Sequence, residues 1–168
     1  MGLVNMTAML QAARKGGYAV GAFNIVDYNS TRAAVRAAED LKAPIIVQVS
    51  VKTVQFWGAD ALAGWIRQVA GPSPVPVAYH LDHCRDVDVV RQCIDAGWTS
   101  VMIDASHLPY EENLALTRQV CAMAAEAGVS VEAEMGAIVG VEDDIFVSQR
   151  DAHLADIDQA EAFCREVD

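Results

Sequence analysis

The chain has 168 residues, 53% of them hydrophobic, and no low-complexity tract, which is enough for one folded domain with a sizeable core. Its formal net charge of −11 argues against a nucleic-acid partner, but leaves room for an anionic small molecule at a helix N-terminus and for divalent cations in an acidic cleft. No apolar run reaches the length of a membrane span, and Met1-Gly-Leu-Val-Asn-Met-Thr7 has neither a basic n-region nor an apolar h-region, so a cytoplasmic protein without a membrane partner is expected.

Asn5 or Thr7 can cap a short helix over residues 8–15, stopped by Gly16-Gly17. Residues 19–24 form a first apolar strand, and Asp27, Asn29 or Ser30 can cap the alanine-rich helix that runs to about Leu41. After Lys42-Ala-Pro44 comes Ile45-Ile-Val-Gln-Val49, a second strand dense in β-branched residues. A helical segment covers residues 59–70, and Gly71-Pro-Ser-Pro74 is a turn. The third strand is Val75-Pro-Val-Ala-Tyr-His-Leu-Asp-His-Cys84, entered through prolines. Residues 86–96 repeat Val and Ile at helical spacing and stop at Gly97. Ser100-Val-Met-Ile103 is a fourth strand, residues 111–127 are a long helix stopped by Gly128, and residues 129–134 are a fifth strand. Residues 136–149, with two glycines and Glu142-Asp-Asp144, read as a loop. Asp158 can cap a last helix.

Strands that alternate with helices imply βαβ units, a parallel sheet and right-handed crossovers, all within a single domain. Cys84, Cys93, Cys121 and Cys164 contain no Cys-x-x-Cys pair and read as reduced thiols.

The third strand ends in His80, Asp82, His83 and Cys84, which a buried strand does not need for packing. Asn24, Ser50, Asp82 with His83, Asp104 and Glu134 each fall at or just past the C-terminal end of a different strand. That edge of a parallel sheet is where ligands bind. Asn24 and Ser50 taken alone read as helix caps; the five positions together favour one site.

His83, Asp104 and Glu134 offer an imidazole and two carboxylates, a donor set that suits zinc, with harder ions an alternative at the carboxylates. The competing reading is that the two carboxylates cap helices or pair with surface arginines. Asp82, beside His83, is placed for general acid–base work. Neighbouring strand residues point to opposite faces, so both can reach one site only if the strand ends here. Glu132 and Glu134 share one face, with Glu134 nearer the mouth and Glu132 a structural partner; His80 reads as a core or supporting residue, and Cys84 as a thiol packed beside the site. His107 and His153 lie in loops.

At these residues the sequence resembles the class II, metal-dependent ketose-bisphosphate aldolases, the fructose- and tagatose-bisphosphate group. The matching segments are Gly21-Ala-Phe-Asn24, Gln48-Val-Ser-Val-Lys-Thr53, His80-Leu-Asp-His83, Val101-Met-Ile-Asp-Ala-Ser106, Glu111-Glu-Asn113, Val131-Glu-Ala-Glu134 and Gly140-Val-Glu-Asp-Asp144, in the family's order. The resemblance implies a TIM barrel that cleaves a ketose 1,6-bisphosphate into dihydroxyacetone phosphate and an aldehyde. It implies Asp82 as the acid/base, His83 as a ligand of catalytic Zn2+, and Asp104 and Glu134 at a second metal position or a mobile zinc. A second divalent or a monovalent cation belongs to the same expectation. Asn24 and Ser50 would be substrate contacts, and Glu142 a mobile-loop acid. The phosphorylated sugar is the implied partner, with a homo-oligomer at full length.

A full barrel has eight strands and about 250 residues. Five strands precede Asp168, and the family's other two zinc histidines and its phosphate loops come later. The expectation is therefore an incomplete (β/α) barrel in which residues 1–168 are the N-terminal part of a single (β/α)8 domain. The alternative is a catalytically inactive half-barrel that binds metal weakly or self-associates.

Overall fold

Short polar side chains decide where the helices begin. In the computed structural model, which describes residues 2–142, 145–150 and 152–167, strand β1 (Gly2–Leu3) leads into helix α1 (Met6–Gly16). Asn5 caps α1 by accepting the Thr7 N–H. Strand β2 (Gly21–Asn24) precedes α2 (Tyr28–Leu41), which opens on a capping box between Asp27 and Ser30. Then come β3 (Ile45–Ser50), α3 (Val51–Trp57), α4 (Ala59–Ala70), β4 (Pro76–Asp82) and α5 (Val87–Asp95), the last capped by Asp86. Strand β5 (Ser100–Ile103), α6 (Tyr110–Ala127) and β6 (Ser130–Ala133) follow. The chain continues through β7 (Gly140–Glu142), β8 (Ile145–Val147) and α7 (Ile157–Val167). Asp156, rather than Asp158, accepts the Gln159 N–H ahead of α7.

The sheet order is β2-β3-β4-β5-β6, all parallel, with β1 beside the start of β4. The architecture is the parallel α/β arrangement of a TIM barrel, left open. The five long-range strands lie where the sequence pattern puts them. Strand β1, helix α3 and the hairpin β7–β8 were not expected. Helix α3 follows β3 directly; Ser50, which taken alone reads as a helix cap, stands at its N-cap, although its side chain makes no cap bond. Residues read as a loop instead carry the antiparallel hairpin β7–β8, with Val141 opposite Phe146. Its strands of three residues are too short to show an alternating pattern.

The outer face of the sheet is apolar. Val47, Val49, Val77, Tyr79, Leu81, Val101 and Ile103 pack with Val35 and Ala38 of α2, Leu62 and Ile66 of α4, Val90 and Cys93 of α5, and Val120 of α6. Tyr79 stacks on Trp98 at 4.0 Å between centroids, and the Trp98 indole N–H donates to the Ala59 carbonyl. Side chains of this size contribute roughly 1.5–3 kcal/mol each when fully buried.

The inner face is layered. At its base Met6 and Met9 of α1 pack on Ile46 and Ala78, so α1 closes the N-terminal end. One row up, the register aligns Asn24 with Gln48, Gln48 with His80, His80 with Ser100 and Ser100 with Ser130, a polar row across five strands. Its members bond one another and the backbone: His80 Nδ1 lies 2.8 Å from Ser100 Oγ, and Ser130 Oγ accepts the Met6 N–H. Above it comes the rim. Among the described residues no helix is long and apolar enough to cross a membrane.

Candidate active site

Asp104 and Glu134 are each the first residue past their strands, β5 and β6, and alternation from Met102 and Glu132 points both inward. His83 is likewise the first residue past β4, but alternation from Asp82 would send it outward. Its backbone instead takes φ +45°, the left-handed region, which a non-glycine residue occupies at a cost of about 1–2 kcal/mol. The His83 N–H donates to Met102 Sδ at 3.3 Å, and the Asp104 N–H donates to the Cys84 carbonyl at 2.7 Å. These bonds tie the ends of β4 and β5 together and re-aim the imidazole. The sequence requirement that the strand end at Asp82 is met.

His83 Nδ1 lies 3.4 Å from Glu134 Oε2 and 4.0 Å from Asp104 Oδ2. One donor atom from each of the three residues falls within 4.8 Å of the others. Asp104 is buried, and its Oδ1 accepts the Ser106 N–H at 3.1 Å and hydroxyl at 2.6 Å. Its Oδ2 accepts Arg85 Nε–H at 3.1 Å. Burial pushes the Asp104 carboxyl up, but His83, Ser106 and Arg85 together outweigh it and hold the group well below the ordinary carboxylate range. Glu134 Oε2 is buried and has no hydrogen-bond partner among the described residues. A buried carboxylate oxygen without a donor is costly. Beside an imidazole and a second carboxylate, it fits a bound divalent cation.

Two residues that sequence reasoning passed over hold this geometry. Asn113 of α6, buried, donates from Nδ2 to the Glu134 carbonyl at 2.9 Å and accepts the Thr117 hydroxyl, which pins the end of β6. The signal available was a buried-face asparagine inside a helix, within Glu111-Glu-Asn113. Arg85 is the other; its pairing with Asp104 realises part of the competing reading, in which a carboxylate answers an arginine.

Asp82 ends β4, and its Oδ2 accepts Gln48 Nε2–H at 2.6 Å. Ser50 is its register partner on β3, with Oγ 3.3 Å from Thr53 Oγ1. Asn24 stands level with Gln48, one row below Ser50 and Asp82, on an edge strand whose four residues are all exposed. Beneath the rim His80 Nε2 lies 3.3 Å from Glu132 Oε2, which holds the Glu132 carboxyl below its ordinary range. Cys84 packs in the outer core and donates its S–H to the Asp86 carbonyl.

A cleft of about 790 Å³ opens between the cluster and the hairpin, lined by His83, Arg85, Asp104, His107, Glu134 and Phe146 among others. His153 stands in its wall. Asp82, Ser50 and Asn24 lie outside that wall, on the inward side of the rim. The side chain of Glu142, and Asp143 and Asp144 entirely, lie outside the described residues.

Residues 4–168 match the family described as fructose-bisphosphate aldolase class-II. A fructose-bisphosphate aldolase of Helicobacter pylori is 42% identical over 165 residues, covering 98% of this chain and 54% of that protein. A 6-phospho-5-dehydro-2-deoxy-D-gluconate aldolase of Halalkalibacterium halodurans is 43% identical over 157 residues, covering 92% and 54%. The crystal structure of the YdjI aldolase from Escherichia coli K12 superposes with a TM-score of 0.84 at 27% identity, covering 98% of this chain and 57% of that one. The chain thus spans about half the length of the curated relatives it matches. With the match running through β2 to β6 of the sheet, the chain belongs to the class II fructose-bisphosphate aldolase family.

Proposed function

We propose that this chain supplies the N-terminal strands and half of the catalytic rim of a single (β/α)8 barrel that performs reversible aldol cleavage of a ketose 1,6-bisphosphate. The products are dihydroxyacetone phosphate and an aldehyde. The observation that carries the reading is the buried Glu134 Oε2, lacking a donor among the described residues, 3.4 Å from His83 Nδ1 and close to Asp104. Zinc, held by His83 and Glu134 beside the Asp104 carboxylate, would supply Lewis-acid stabilisation of the negative charge that develops as the carbon–carbon bond breaks.

Asp82 takes the proton from the hydroxyl on the aldehyde side during cleavage and returns it during condensation. Gln48 holds one carboxylate oxygen of Asp82, so the proton-accepting geometry is set before substrate arrives. Ser50, level with Asp82, and Asn24, one row below, contact the substrate. The names of the relatives support a phosphorylated sugar of this kind, and the sheet edges at β2 and β6 support completion by further strands. A cytoplasmic homo-oligomer is part of the same reading and rests on the family resemblance alone.

A coupled assay for triose phosphate, with fructose and tagatose bisphosphates as substrates, tests the reading. The chain joined to the C-terminal half of the Helicobacter pylori relative turns over and loses activity to a chelator. Asp82→Asn in that protein keeps its metal and loses roughly 10²–10⁴-fold in turnover. The isolated chain shows no substantial turnover, because three or four protein ligands normally complete a zinc site. A joined protein that folds, binds metal and cleaves neither substrate would sink the assignment; near-normal turnover in Asp82→Asn would remove Asp82 from the mechanism.

A further inference from the structure

The two carboxylates beside His83 are not in the same state. Asp104 is engaged on both oxygens by the chain's own donors: Ser106 at Oδ1, and Arg85 Nε at Oδ2, 3.1 Å away. That same Oδ2 is the oxygen that lies 4.0 Å from His83 Nδ1. The Arg85 side chain is more than one-third exposed, at 38%, while Asp104 is almost fully covered, at 2%. The guanidinium therefore reaches in from the cleft to a buried anion. It cannot give up its charge at any ordinary pH. Glu134 has no such counter-cation: its buried Oε2 meets only the imidazole among the described residues.

A cation entering the cluster thus meets one carboxylate that is uncompensated and one that is already paired. A second divalent ion at Asp104 would have to share Oδ2 with a fixed positive charge or expel it. Like charges at such separations repel strongly in a partly buried site.

We propose that Arg85 fills the cationic place beside Asp104, so that the centre takes a single divalent ion on the His83–Glu134 side and Asp104 serves as a positioning residue rather than a ligand. The inference rests on the metal-centre reading above. It assigns Arg85 a definite sign: the guanidinium weakens divalent binding at this cluster while fixing the Asp104 carboxylate next to the imidazole. An arginine that merely held Asp104 in place for a metal would have the opposite effect, since its loss would disorder a ligand.

Isothermal titration with Zn2+, and Mn2+ titration followed by electron paramagnetic resonance, distinguish these cases on the joined protein described above, stripped of metal, because a zinc site normally needs three or four protein ligands. Four forms are compared: the unmodified protein, Arg85→Gln, Arg85→Lys and His83→Ala, with circular dichroism as the folding check. Arg85→Gln is expected to bind Zn2+ at least about tenfold more tightly, since one fixed positive charge beside the ion has gone, and to admit a second Mn2+ coupled to the first. Arg85→Lys keeps the charge and stays close to the unmodified protein. If His83→Ala weakens binding but Arg85→Gln binds equally or less tightly, the inference about Arg85 is overturned while the metal centre stands. If neither the unmodified protein nor Arg85→Gln binds an ion, or binding ignores His83→Ala, the metal centre falls and the inference with it.

Discussion

At the scale of single residues, the thiols show how strongly position governs chemistry. Burial pushes the Cys84 thiol up to about 11, and drives that of Cys93 higher still, with the neighbouring Cys84 charge adding to it. The thiolate is the reactive form, so at pH 8 roughly one Cys84 in a thousand is ionised. Cys164 is exposed on α7. A native-state reaction with a disulfide reagent should label Cys164 quickly, and Cys84 and Cys93 only on unfolding. Raising the pH toward 11 would quicken Cys84 before Cys93. A peptide map with rapid Cys84 labelling at pH 8 would contradict this, and would also reopen Cys84 as a ligand. The site residues were legible singly for a simple reason: acids and imidazoles at strand ends have no packing role. Their geometry was not legible. Nothing in the letters marks the φ +45° of His83, and no spacing rule connects Arg85 to Asp104 across α5.

At the scale of elements, the ends of β4 and β5 are tied to each other, and the end of β6 is located by a bond from outside the sheet. Asn113 makes that bond, reaching from α6 to the Glu134 carbonyl. Asn113→Ala leaves that carbonyl and the Thr117 hydroxyl short of a partner in a buried setting, which costs about 1–3 kcal/mol. The thermal midpoint should fall by several degrees. Zn2+ affinity should fall as well, since β6 loses the tether that sets Glu134. Asn113→Asp, which keeps the shape but cannot donate, should behave like the alanine variant in the titration. Unchanged affinity in both would make Asn113 a packing residue alone. The elements themselves followed hydrophobic period and capping chemistry, which act locally and so can be read locally. Strand β1, helix α3 and the β7–β8 hairpin escaped because they are short: two residues, seven residues, and strands of three.

Considered whole, the molecule sets a high negative charge against unprotected sheet edges. Strand β2 exposes all four of its residues, and Phe23, Val26 and Phe56 show 56%, 60% and 77% of their surfaces. Edge strands with apolar neighbours invite association, while a net charge of −11 opposes it. Salt should decide the contest, because screening shortens the reach of the repulsion to about 3 Å at 1 M. Sedimentation velocity should show a larger species as sodium chloride rises from 0.05 M toward 1 M. A monomer at every salt and protein concentration would count against the edges as adhesive surfaces. The parallel sheet was legible from the alternation of strands and helices. The rows of the inner face were not, because register is fixed by pairing between distant segments.

The left-handed backbone at His83 makes that position a place where folding and chemistry pull in opposite directions. Glycine adopts such a backbone without penalty, so selection for stability alone would favour glycine there, and the imidazole persists only if something else rewards it. His83→Gly should therefore melt higher than His83→Ala, by an amount on the order of 1 kcal/mol, although both lose the ring and both should lose the metal. Should the glycine variant melt no higher than the alanine variant, the conformation would not be held under tension. If it does, the backbone at this position is under tension that the imidazole, unlike glycine, does not relieve.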